Sequence, residues 1–85
     1  MQQVYRPPDI RKISKQGQRL FEALDRELRE QHCGKFIAIE VDSGEYFLGG
    51  TGVEASEKAR VKHPGKIFFL GRIGYRAAYT FKGRR

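Results

Sequence analysis

At Gly34 the apolar residues of this chain change their spacing, and the change confines the fold to a helix followed by strands. Before it, Ile10, Ile13, Leu20, Phe21, Leu24 and Leu28 fall on one stripe of a helical period. After it, Ile37, Ile39 and Val41 alternate with Phe36, Ala38 and Glu40, which is the two-residue period of a strand.

Asp9 is placed to cap the helix. Gly17 interrupts the stripe at a cost of up to about 1 kcal/mol relative to alanine. The spacing therefore predicts a helix from about Gln18 to Gln31, with residues 10–17 either an extra turn or a separate short helix. Its other face, with Arg19, Glu22, Asp25, Arg26, Arg29 and Glu30, is polar and allows i,i+4 ion pairs. Gly34 is the expected residue just past the helix end.

Asp42-Ser43-Gly44 reads as a compact turn, and Glu45–Gly49 as a second strand, so the two strands form an antiparallel hairpin with a glycine bulge. Thr51 and Glu54 spell a capping box for a second helix of about Gly52 to His63. Val53, Ala55, Ser56 and Ala59 are small side chains that let this helix sit close to a sheet. His63-Pro64-Gly65 ends it. Lys66–Leu70 is apolar on both faces, as an inner strand covered on two sides would be. Gly71 and Gly74 suggest a bend, and residues 75–81 alternate again, as a fourth strand or as a continuation of the third. The predicted order is α-β-β-α-β-(β). This is an α+β fold with a small, mostly antiparallel sheet, made of a flexible segment 1–9, one domain over 10–82 and a basic tail 83–85.

A chain of 85 residues buries only about 60–65% of the surface its unfolded form exposes. No apolar run approaches the roughly 18 residues needed to cross a bilayer. The first residues lack the apolar core of a secretory signal. Cys33 is the single cysteine and has no partner for an internal disulfide. The expected compartment is the reducing cytoplasm.

The histidines, His32 and His63, lie far apart, and neither they nor Cys33 have the spacing of a zinc site. The stretch GGTGVE stands between a strand and a helix, yet it matches neither phosphate-loop pattern and carries Glu54 where a phosphate would bind. It reads as a plain connection. Glu40, Asp42 and Glu45 cluster at the hairpin and read as solvated turn residues. The expectation is therefore a protein that is not an enzyme and holds no cofactor and no metal.

The net charge of +7 is unevenly spread. Residues 32–57 carry one basic side chain against five acidic ones, whereas residues 58–85 carry nine basic side chains and no acid. Within that last third, Lys58, Lys62, Arg72, Arg76, Lys82, Arg84 and Arg85 are candidates for nucleic-acid contact, with tyrosines interleaved for stacking. Tyr46, Tyr75, Tyr79 and Phe81 are candidates for contact with a protein partner along a sheet edge.

From Gly34 to Phe81, the string GKFIAIEVDSGEYFLGG…EASEKARVKHPGKIFFLGRIGYRAAYTF is similar to a class of short uncharacterised prokaryotic proteins. Lys35, Ala38, Ile39, Gly44, Ala55, Ala59, Pro64, Arg72, Ile73 and Gly74 carry the match. The strand-strand-helix-strand order with its "EA" helix start also resembles HicB-like antitoxin domains. That resemblance implies the partner-binding half of a toxin–antitoxin pair. The leading expectation is an interaction module that binds a protein partner or a second copy. The alternative is sequence-nonspecific nucleic-acid binding through the basic third.

Overall fold

A computed structural model describes residues 10–75 and 78–81. Helix α1 runs over Ile10–His32, strands β1 and β2 over Phe36–Glu40 and Glu45–Gly49, helix α2 over Gly52–Lys62, and strands β3 and β4 over Phe68–Arg72 and Ala78–Phe81. The strands make one antiparallel sheet in the order β2-β1-β3-β4. The α+β architecture is as the periodicity predicts, and residues 78–81 form a separate fourth strand.

The first helix is continuous through Gly17, and the reason lies in packing. A Cβ at Gly17 would lie 2.5 Å from Cβ of Phe69, so the missing side chain is the notch into which β3 presses its phenylalanine. Phe21, Ile37, Ile39, Phe69 and Ile73 form the buried core on this side, flanked by Leu20, Leu24 and Leu28. Each such side chain contributes roughly 1.5–3 kcal/mol by leaving water. Gly71 is likewise a place of close approach, under the ring of Phe21, rather than a bend. The chain turns at Gly74 instead, where φ is 88° and Tyr75 N–H donates to the Arg72 carbonyl at 3.0 Å.

Asp25 makes the i,i+4 ion pair that the helical spacing allows, yet it is buried. It is 7% exposed, accepts the Gly74 N–H at 2.7 Å and pairs with Arg29 one turn on. The carboxylate thus fastens the α1 C-terminal half to the turn after β3.

On the opposite face of the sheet, Ala38, Phe68 and Leu70 pack against Ala55 and Ala59 of α2. Small residues bring the helix close: a Cβ at Gly49 would stand 2.6 Å from the Ala55 amide nitrogen. Val53 takes no part in this contact; it faces outward at 71% exposure. Thr51 accepts the Glu54 N–H at 3.1 Å, as the capping box predicts, while Glu54 reaches one residue further back to the Gly50 N–H at 2.8 Å. The hairpin loop takes in Val41 as well, since β1 ends at Glu40 and pairs there with Glu45.

The two helices are offset. α1 packs on β1, β3 and β4, whereas α2 packs on β2, β1 and β3. Among the described residues, α2 does not reach β4 and α1 does not reach β2. One corner of each sheet face is therefore left without a helix.

Candidate interaction surface

The acidic hairpin and the start of the basic third, separate in sequence, are joined in space. Lys62 lies 3.4 Å from Glu45, Lys66 lies 2.8 Å from Asp42, and the His63 Nε2 is 2.6 Å from Glu45 Oε1. The β1–β2 hairpin turns back under the C-terminal end of α2, which brings these groups together. Their pairing holds the Glu45 carboxyl below its ordinary range, chiefly through the His63 hydrogen bond and despite partial desolvation. The Asp42 hydrogen bond and charge likewise raise the Lys66 ammonium.

At the centre of this cluster is Glu40. The position of Glu40 at the hairpin predicts a solvated side chain, but it is 2% exposed. Its carboxylate accepts the Ser43 N–H at 3.0 Å and the Asp42 N–H at 3.2 Å, and lies 3.9 Å from His63 Nδ1. A buried carboxylate needs such partners. The alternation already set Glu40 on the Ala38 side of the strand, which is the face α2 covers. Asp42 and Glu45 remain more open to water.

The nucleic-acid candidates fare differently from one another. Lys58 donates to the Leu48 carbonyl at 2.8 Å and lies 3.6 Å from Glu54, whose carboxyl is lowered first by the Gly50 N–H and then by the Lys58 charge. Lys62 is engaged with Glu45. Arg72 is held by its own chain: its guanidinium carbon is 5.0 Å from the Phe36 ring centroid and 4.2 Å from that of Tyr75, and its Nε donates to the Gly34 carbonyl at 3.1 Å. Arg76, Lys82, Arg84 and Arg85 lie outside the described residues.

The partner candidates fall on the two corners left by the helices. Tyr46 pairs with Ile39 on the α1 side of edge strand β2 and is 39% exposed. Position 79 pairs with Leu70 and position 81 with Phe68. Opposed residues of an antiparallel ladder share a face, so Tyr79 and Phe81 occupy positions on the α2 side of β4. Tyr75, 48% exposed, adjoins that corner through its ring contact with Arg72.

The two sheet edges are not equivalent. The β2 edge is tied at both ends by α2 or the residue that caps it, with Lys58 on Leu48 and His63 on Glu45. The β4 edge lies beyond the reach of α2 and is met by α1.

Beside the β4 corner, a cleft of about 580 Å³ is walled by Gln18, Phe21, Glu22, Asp25 and Arg29 of α1 and closed by Gly74 and Tyr75. Its buried acid, Asp25, is already committed to Gly74 and Arg29. The Asp25 carboxyl feels burial, which would raise it, but the hydrogen bonds from Arg29 and Gly74 and the nearby arginine charges prevail and lower it.

Among the described residues, no three of His, Cys, Asp and Glu converge as a metal site would require. No described helix is long and apolar enough to cross a membrane. No protein-family model, curated protein or solved structure matches the chain.

Proposed function

We propose that this chain is a non-enzymatic interaction module that binds a protein partner along β4 and the sheet face beside it. The observation that carries the reading is the offset of the helices, which leaves β4 both an outer strand and uncovered by α2. An outer strand offers unpaired backbone groups to an incoming strand, and neighbouring side chains supply specificity. The β1-β2-α2-β3 order supports an antitoxin-like version of this role, in which the partner is a toxin.

Light scattering combined with co-purification from the native host tests the proposal. A defined complex is expected, lost on Tyr79→Asp and retained on Arg60→Gln. A strictly monomeric protein with no partner, or a complex indifferent to Tyr79→Asp, counts against it.

Nucleic-acid binding is the rival reading. The commitment of Lys58, Lys62 and Lys66 to hydrogen bonds and ion pairs within the chain weighs against it, because a nucleic-acid groove needs cations free to follow phosphates.

A further inference from the structure

Arg72 ends β3, one residue beyond Gly71, which is the last residue of that strand paired with β4. Alternation places it on the same side as Phe68 and Leu70, the side on which α2 does not reach β4. Three contacts fix its plane: the rings of Phe36 and Tyr75 and the Nε bond to Gly34. Among the described residues its two Nη nitrogens meet no acceptor. The result is a planar donor fork, oriented in advance, at the end of β3 where its pairing with β4 stops.

We infer that Arg72 receives a carboxylate from an acidic segment of another protein that adds to β4; this rests on the reading of β4 as the contact edge. An oriented guanidinium matches one carboxylate through two parallel hydrogen bonds. A nucleic acid would require a track of cations, and Lys58, Lys62 and Lys66 point their charges at the chain's own acceptors. A second copy is a poor occupant, because the chain carries +7 and its hairpin acids are already engaged.

The test is fluorescence anisotropy with a labelled peptide that alternates glutamate and valine. The same peptide with glutamine for glutamate and a labelled oligo-dT are run beside it, and amide shifts locate the site. The glutamate peptide is expected to bind and to shift the amides of residues 78–81. Arg72→Lys, which keeps the charge but loses the fork, is expected to weaken binding about tenfold, while Arg60→Gln changes it by less than about twofold. Thermal unfolding confirms that each variant folds. If Arg72→Lys does not, Tyr75→Leu carries the test, with a loss of about threefold expected from removing one ring.

Equal binding of the glutamine peptide at the same amides removes the carboxylate inference and leaves strand addition standing. Binding by Arg72→Lys as tight as wild type, or Tyr75→Leu as tight where that variant carries the test, overturns it. So does oligo-dT binding that is tighter than the peptide and depends on Arg72. Failure of both peptides to bind overturns the inference, while the partner complex, tested by Tyr79→Asp, is judged on its own result.

Discussion

The His63 imidazole lies 2.6 Å from the Glu45 carboxylate, and this contact joins the end of α2 to the start of strand β2. His63 also caps the helix, with its N–H on the Ala59 carbonyl at 2.8 Å, and meets the Phe47 ring edge-on at 6.0 Å. One residue thus serves a helix end through its backbone, and a strand and the buried Glu40 through its side chain.

The Glu45, Glu54 and Asp25 carboxyls are all held below their ordinary values of 4.5, 4.5 and 3.8. A lowered native value means that the unfolded chain binds protons first. Their contribution is therefore complete above about pH 5 and disappears as the pH falls through those ordinary values towards the native ones. Urea unfolding across pH 2–6 (about that range) should show falling stability on the acid side. Glu45→Gln should flatten part of the slope; an unchanged slope would show that the His63 contact adds nothing.

Gly17→Ala should destabilise the fold although alanine is the better helix former. The gain of up to about 1 kcal/mol in helix propensity competes with overpacking against Phe69, which costs about 1–3 kcal/mol. Denaturant unfolding decides the sign. A stabilised variant would mean that Phe69 moves aside freely.

Asp25→Ala should cost about 1.5–3 kcal/mol, because it removes the hydrogen bond from the Gly74 N–H to a charged carboxylate. Amide exchange is the specific readout. The Gly74 amide should lose protection far more than the amides of α2.

Lys58→Ala should open the β2 edge by freeing the Leu48 carbonyl. Light scattering at rising concentration is expected to detect association that wild type does not show. A variant that stays as monodisperse as wild type would assign edge protection to His63 and Lys62 instead.

The elements of this fold were legible wherever the signal is local. The period switch at Gly34 marks where α1 gives way to β1, and Thr51 with Glu54 marks the start of α2. What stayed hidden depends on residues distant in sequence. Gly17 looked like a helix breaker because Phe69, which fills its notch, comes from β3. The pairing of Asp25 with Arg29 follows from helical spacing, whereas its bond to Gly74 does not, because Gly74 lies beyond every strand of the hairpin. The charge imbalance of the last third was real as composition, but Lys62 and Lys66 find their counterparts in the hairpin only after the chain folds back. Arg72 was visible as a cation, whereas its enclosure by Phe36 and Tyr75 follows from the pairing of β1 with β3.

Gly17 and Asp25 stand eight positions apart, about 12 Å along the helix axis, and each is matched to a single site on the β3 side. A rod located at two separated points resists both sliding and rolling against the strand beneath it. The far end of α2 is held differently: beyond the apolar contact of Ala55 and Ala59 with Ala38, Lys62 and His63 meet Glu45 of the hairpin through polar side chains that water can replace.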